Sequence, residues 1–356
     1  MLDHSITENY DRFVALTEAE PRLRAVDAAA KLGLSEAELV EAKMTTGAAR
    51  KLRRTEDFGF APILEGMQGL GEVMCLTRNP SAVHERYGEF DNVKLGKGMG
   101  LVLNRTIDLR VMMMRWAFGF VIEEEVASGV RISVQFFDKH GVAVHKIYAT
   151  EKTDRARFDK LVADWVDPAP EKLSVEAKGE SEPDLPDVAI DVTSMRQEWG
   201  AMTDVHQFMG LLKRYNVGRM QALRLVGEDW AYELPTEAMT WALERAASRG
   251  VSVMFFVGSP GCIQIHTDPI NNIKLMGPWI NVLDEKFHMH LRQDHVAHLW
   301  VVKKPSDTGF VTSVEAFNDK GENILLMFGE RGEGNEENPI WRELVASLDT
   351  PAEIPA

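Results

Sequence analysis

Residues 71–148 of this chain, moved along by 180 positions, fall on residues 251–328 without a gap. Val73-Met74 lands on Val253-Met254, Pro80 on Pro260, and Asn92-Val93-Lys94-Leu95 on Asn272-Ile273-Lys274-Leu275. Gly129, Ser133-Val134, Phe137 and Gly141 land on Gly309, Ser313-Val314, Phe317 and Gly321. A register held over that distance means two copies of one folding unit. The period is too long for a solenoid, so each copy buries a core of its own. Where the copies differ in polar chemistry, one of them has been specialised.

Each copy reads as helices followed by strands. Residues 9–57 carry helical spacing, and Ser35 with Glu38 three residues on reads as a capped helix start. Short apolar segments follow at Ile107–Met113, Ala117–Ile122, Arg131–Phe137 and Val142–Thr150, with Asp138-Lys139-His140-Gly141 as a hairpin turn. Asn318-Asp319-Lys320-Gly321 predicts the same turn in the second copy. A helix over Arg155–Trp165 closes the first copy, and Trp341–Leu348 ends the second. The fold class expected is α+β: a tandem repeat of two similar halves, each a large antiparallel β-sheet with packed α-helices. The boundaries read are 1–166 for the N-terminal repeat, 167–190 for an acidic, proline-containing linker, and 191–356 for the C-terminal repeat.

The net charge of −15 argues against nucleic acid and against an anionic membrane surface, since both need a basic stripe. An anionic ligand must meet a local basic cluster instead. The start Met1-Leu2-Asp3-His4-Ser5 has neither a basic n-region nor an apolar h-region, and no apolar run approaches a membrane span. Two cysteines, Cys75 and Cys262, suit a reducing cytoplasm and read as buried inert thiols rather than a redox pair.

The sharpest divergence lies in Met202–Leu212, read as a helix capped by Thr203 or Asp204. Val205, Phe208, Met209 and Leu212 form its expected apolar face. His206 sits beside that stripe, and Gly210, one turn on, leaves room for a flat ligand. A histidine in such a place is more often structural than a ligand. Basic residues add weight: Arg214, Arg219 and Arg331 follow, Lys303-Lys304-Pro305 lies opposite the Glu124-Glu125 stretch of the first copy, and Arg110 faces His290. Individually each reads as a solvated charge; together they supply a basic pocket. His266, His288, His290, His295 and His298 form a second cluster, with His288 and His290 on one strand face, and ordinary polar-face histidines are the commoner explanation. Gly96-Lys97-Gly98-Met99-Gly100 lacks the βαβ context of a dinucleotide site. Met112-Met113-Met114 reads as core packing.

Several segments carry a resemblance: Met202-Thr203-Asp204-Val205-His206-Gln207-Phe208, Gly261-Cys262-Ile263-Gln264-Ile265, Trp279-Ile280-Asn281-Val282, Lys304-Pro305 with Gly309-Phe310-Val311-Thr312-Ser313, and Ile107-Asp108-Leu109-Arg110. They resemble the bacterial cytoplasmic haem-utilisation, or hemin-degrading, proteins of the HemS/ChuS/PhuS/HmuS type. The resemblance spans nearly the whole chain, tandem repeat included. It implies a haem cleft served mainly by the C-terminal half. His206 is implied as axial iron ligand and Arg110 as the distal catalytic arginine. Arg219, Lys304 and Arg331 are implied to hold the propionates or line the pocket, and Met254 and Phe328 to contact haem. Leu326 and Phe328 stand where the family pattern has Gln and Tyr, and Met112 where it has a pocket Phe. The function implied is cytoplasmic haem-iron acquisition with oxidative opening of the haem ring, electrons coming from an external reductase. The alternative is a haem chaperone that delivers to a separate haem oxygenase. A haem transporter ATPase is a further candidate partner, and the chain is expected as a monomer or homodimer that binds no nucleic acid. His84, opposite Gln264 in the repeat, is the first copy's candidate for a second haem.

Overall fold

The computed structural model describes residues 4–96, 98–126, 129–179, 183–332 and 335–349. The first residues of the chain, Lys97 of the glycine-rich stretch and Glu180–Glu182 of the linker stretch lie outside them. The N-terminal repeat begins with α1 (His4–Ala19), α2 (Ala25–Leu32) and α3 (Glu36–Ala42). Then come β1 (Ala49–Lys51), α4 (Ala61–Gly66), β2 (Gly71–Arg78), β3 (Ala82–Gly88), β4 (Val93–Lys94), β5 (Met99–Leu103), β6 (Asp108–Met112), β7 (Phe118–Val126), β8 (Gly129–Phe137), β9 (Ala143–Thr153) and α5 (Arg155–Trp165). The C-terminal repeat follows the same plan, starting with α6 (Val192–Gly200), α7 (Gln207–Tyr215), α8 (Arg219–Val226), β10 (Ala231–Leu234) and α9 (Ala238–Ser248). It continues with β11 (Ser252–Gly258), β12 (Cys262–Pro269), β13 (Ile273–Met276), β14 (Trp279–Asp284), β15 (Phe287–Arg292), β16 (His298–Ser306), β17 (Gly309–Phe317), β18 (Asn323–Gly329) and α10 (Pro339–Ala346). The α+β class and the repeat of two antiparallel halves stand as the sequence predicts.

The copies match at the level of single residue pairs. β7 pairs with β8 from Phe118↔Phe137, and β16 with β17 from His298↔Phe317, the same register moved by 180. β8 and β9 slip between Phe136 and Phe137, and β17 and β18 slip between Ala316 and Phe317, so even the bulge is duplicated. Both predicted turns form. Asp138 Oδ1 accepts from the backbone N–H of His140 and Val142, and Asn318 Oδ1 accepts from Lys320 and Glu322. Gly141 and Gly321 close these turns at φ 70° and 74°, where a side chain would be strained. The capping box at Ser35 also forms, with Ser35 Oγ accepting from Glu38 N and Glu38 Oε2 accepting from Ser35 N.

The chain divides into two compact units that do not coincide with the two repeats. The first unit holds Met1–Arg78 and His84–Gly179 together with Gly258–Gln264 from the second repeat. The second holds Glu180–Val257 and Ile265–Ala356 together with Asn79–Val83 from the first. In the first unit the strands run β1-β7-β8-β9-β2-β3, with β4-β5-β6 as a meander. The borrowed tip is locked there: the backbone N–H of Met112 and the indole N–H of Trp116 both donate to Gly261 O, at 2.9 and 2.8 Å. Cys75 and Cys262 lie buried in this core, and burial raises both thiols, Cys262 to about 12. Along the stretch read as linker, Leu173 is buried and its N–H donates to Glu41 Oε1.

In the second unit the order is β10-β16-β17-β18-β11-β12, with β13-β14-β15 as the meander. Its borrowed tip is held by the matching bond, Arg292 N to Ser81 O at 2.8 Å. α9 and α10 bury Val253, Phe255, Val314, Leu325 and Met327 on one sheet face. α6, α7 and α8 bury Trp300, Val302 and Phe317 on the other. This second face leads to the site.

Candidate functional site

The α6–α8 layer covers only part of its sheet face. Beyond Trp300 and Val302, the face continues through Ser313 and Glu315 on β17 to Phe328 and Leu326 on β18 and Met254 and Phe256 on β11, cross-strand neighbours in register. Ser313 and Glu315 are buried, whereas Met254, Phe256, Leu326 and Phe328 are half-buried, and Phe256 meets Phe328 edge-on at 5.0 Å. A partly open apolar platform results.

One cluster of charge borders this platform. Glu315 has no exposed surface and receives Arg219 Nε and Nη2, both at 2.8 Å, Lys304 Nζ at 2.7 Å and Ser313 Oγ at 2.9 Å. Burial would raise the Glu315 carboxyl, but Arg219 and then Lys304 outweigh it and hold it well below the usual carboxylate range. Burial pulls the Lys304 ammonium down to about 8, with Glu315 resisting and Arg219 adding repulsion. The triad keeps one net positive charge. The Phe208 ring of α7 caps it, 5.0 Å from the Arg219 guanidinium and 4.7 Å from Lys304 Nζ.

Phe208 lies two residues from His206. The helix predicted from a Thr203 or Asp204 cap starts later than expected, at Gln207, with His206 in the N-cap position. The reason is that Asp204 spends its side chain on the histidine. Its Oδ1 accepts from His206 N at 2.8 Å and from His206 Nδ1 at 2.6 Å. Those two bonds, backbone first, lower the Asp204 carboxyl, with a smaller contribution from Arg331. A carboxylate acceptor fixes the proton on Nδ1 and leaves the Nε2 lone pair pointing away, the arrangement of a metal-ready imidazole. The His206 side chain is 89% exposed, so Nε2 is accessible. The Gln207 amide oxygen accepts from Thr203 N, and Asp307 N donates to Thr203 O, which ties this loop to the β16–β17 turn.

The expected apolar face of α7 also needs correction. Phe208, Leu211 and Leu212 are buried, while Met209 is 63% exposed. With the helix beginning at Gln207, Met209 and Gly210 share the solvent side with His206. A Cβ on Gly210 would meet nothing within 4 Å, so that side is open. Arg331 reaches Ser306 Oγ and Thr308 Oγ1 at 3.4 and 3.5 Å and makes no ion pair among the described residues.

The remaining candidates lie elsewhere. Arg110, on β6 of the first unit, is paired with Asp108. Met112 ends that strand, its N–H given to the borrowed tip. His84 is fully buried, and burial followed by Arg86 lowers it to about 3. Of the second histidine cluster, His266 is buried against the Phe287 ring at 3.5 Å, His295 bonds Ser81 Oγ, and His298 bonds Glu233. His290 bonds Asn281 Oδ1, and its ring lies 6.3 Å from that of His288.

Asp204, Glu315, Met209 and Phe256 are site residues that the sequence reading missed in that role. The repeat carried a signal for one of them: Glu315 replaces Gln135, in the same pair of strands where Lys304 replaces Glu124.

The haemin-degrading HemS.ChuX domain model matches the chain twice, over residues 33–165 and 216–348. The hemin transport protein HmuS of Yersinia pestis is 39% identical over 340 residues, 95% of this chain and 96% of that protein. Among solved structures, holo-PhuS, a heme-binding protein from Pseudomonas aeruginosa, superposes with a TM-score of 0.91 at 42% identity, covering 97% of this chain and 99% of that one. The Escherichia coli O157:H7 heme degrading enzyme ChuS gives 0.89 at 38% identity, covering 96% and 99%.

Proposed function

This chain belongs to the haemin-degrading HemS.ChuX domain family, and from that premise we propose that its second unit captures haem through His206. The observation that carries the reading is the Asp204–His206 pair. It presents an imidazole Nε2 at the exposed start of α7, beside an open apolar platform and a cationic cluster. Haem asks for these three things: an iron ligand, apolar area for the macrocycle and charge-assisted partners for two carboxylates.

In this proposal Met254, Phe256 and Phe328 take the porphyrin face, and Met209 adds apolar surface on the histidine side. Arg331, without an ion pair among the described residues, takes one propionate. Arg219 and Lys304 present the surplus charge of their triad to the other. Burying the ring against these side chains yields roughly 25 cal/mol per Å² of apolar surface. Arg110 enters the proposal from the family resemblance as the catalytic guanidinium, a charge that does not titrate near neutrality.

The reaction proposed is oxidative opening of the captured ring by dioxygen, which takes up the reductase's electrons and supplies the oxygen as ring carbon is oxidised and iron is released. The chain holds no flavin or nicotinamide motif, so electrons come from an external reductase. A haem chaperone is the second reading. It is favoured by one observation: Leu326 and Phe328 bring no polar donor to the platform. A cytoplasmic place of action belongs to the same proposal; among the described residues, no helix is long and apolar enough to cross a membrane.

Titration with hemin tests the capture step. A Soret band is expected for the wild type, and His206→Ala is expected to shift it and weaken binding. An unchanged spectrum in that variant rejects the ligand assignment. Turnover driven by a reductase, with catalase present, separates the two readings. A linear tetrapyrrole lost in Arg110→Ala marks the enzyme. Stoichiometric transfer to an added oxygenase without product marks the chaperone.

A further inference from the structure

On the other face of the β16–β17 ribbon lies a cavity of about 510 Å³. Side chains alternate along a strand, so Lys303 points away from its neighbour Lys304. Lys303 stands opposite Thr312, and Phe310 opposite Pro305, which puts both on the side remote from Glu315 and Lys304. Tyr232 on β10 stands opposite Val301 and shares that side. Trp230, two residues earlier, completes an aromatic wall, its ring 6.0 Å from that of Phe310. Arg342 of α10 closes the cavity.

The charges here are unusual for a surface recess. Lys303 Nζ lies 5.7 Å above the Tyr232 ring. Neither Lys303 nor Arg342 makes an ion pair among the described residues. Asp229, the one acid in the lining, is held by Arg196 through two bonds of 2.7 Å.

The first copy shows the same place with the opposite charge: its recess is lined by Tyr10, Phe13 and Lys43 together with Glu123, Glu124 and Glu125. Ala49 pairs with Ile122 as Ala231 pairs with Val302, so Arg50 and Ala48 match Tyr232 and Trp230. Glu123 and Val130 match Lys303 and Phe310. There the charge is neutralised within the chain, by an exposed Arg50–Glu123 ion pair. In the second copy the carboxylate has become a lysine, its arginine partner a tyrosine, and the flanking small side chains Trp and Phe. A cation stands where the first copy has a carboxylate, and its aromatic walls now come from the sheet itself, Trp230, Tyr232 and Phe310, where the first copy has Tyr10 and Phe13 of α1.

We infer that this recess is a second binding site, separate from His206, for a planar aromatic anion. Its ring packs against Trp230, Tyr232 and Phe310, and its acid group is received by Lys303 and Arg342. The volume falls in the roughly 300–1,000 Å³ range of small-molecule sites, and aromatic stacking with charge-assisted bonds supplies both orientation and affinity.

FMN is the probe, and riboflavin, the same ring without the phosphate, is the control. Binding is read from quenching of flavin fluorescence by the wild-type protein. FMN is expected to bind at least about tenfold more tightly than riboflavin, a charge-assisted contact's worth. Lys303→Glu, which installs the first copy's residue type, is expected to weaken FMN about tenfold or more. Arg342→Gln, an exposed helix position, is expected to weaken it in the same direction and guards against misfolding of the first variant. Hemin titration of Arg342→Gln is expected to match wild type, which keeps this site distinguishable from the proposed haem site. The inference is overturned if FMN fails to bind, if both variants bind it like wild type, or if saturating hemin displaces it.

Discussion

Replacing Asp204 tests whether the histidine at the start of α7 is held ready for a metal. Asp204 Oδ1 accepts two bonds, one from the His206 backbone and one from its ring. Both side chains are largely exposed, 57% for Asp204 and 89% for His206, so the ion pair adds little to folding. Its work is done when iron is bound. An acceptor behind a ligating imidazole is typically worth about 10- to 100-fold in metal affinity. Asp204→Ala removes that acceptor, so hemin affinity should fall by about that factor while the urea midpoint stays put. Asp204→Asn keeps an oxygen in place and loses the charge. A charge-assisted bond is about twice as strong as a neutral one, so half the free energy should go. Half in free energy is the square root in affinity, roughly 3- to 10-fold. Competitive hemin titration followed at the Soret band measures all three proteins, and the ligand-field bands report any change of axial bond. If the alanine variant binds within twofold of wild type, the carboxylate does not position the ring.

Three further outcomes follow from buried chemistry. Glu315→Gln leaves Lys304 and Arg219 without their carboxylate, and urea denaturation should show a loss of about 3–5 kcal/mol; the Lys304→Met, Glu315→Leu double variant should recover most of it. His84 and His145 are buried and neutral, both lowered to about 3 by burial first. The unfolded chain takes up their protons below about pH 6.5 and the folded chain does not, so stability present above that pH is lost as pH falls toward 3. The loss between pH 7 and pH 5 is about 2 kcal/mol per histidine; urea curves at the two pH values check it, and His145→Gln should halve it. A Cβ at Gly261 would stand 3.0 Å from the fully buried Trp116 indole and 3.0 Å from Val144. Gly261→Ala should therefore cost about 1–3 kcal/mol, with a shift in tryptophan emission.

The repeat made much of this architecture legible. The duplicated turns at Asp138 and Asn318 and the shared register of β7–β8 and β16–β17 follow from one alignment of the chain with itself, whereas the order of the strands does not. Local chemistry was harder to read. An N-cap is recognised by residue type, but Asp204 bonds a side chain as well as the backbone, which moved the helix start and turned Met209 outward. Glu315 looked like one more acid in a chain rich in them, because burial is invisible until partners are placed. The exchanged hairpin tips left no trace in composition: Gly261-Cys262 is small and apolar enough to pack under Trp116 or in its own repeat, and only the bonds to Gly261 decide.

That exchange bears on what a cut chain would do. Each compact unit is finished by a loop lent from the other repeat, so neither half is whole by itself. Proteolysis in the acidic stretch near Glu180 should leave two fragments that travel together through a sizing column and part only under denaturant.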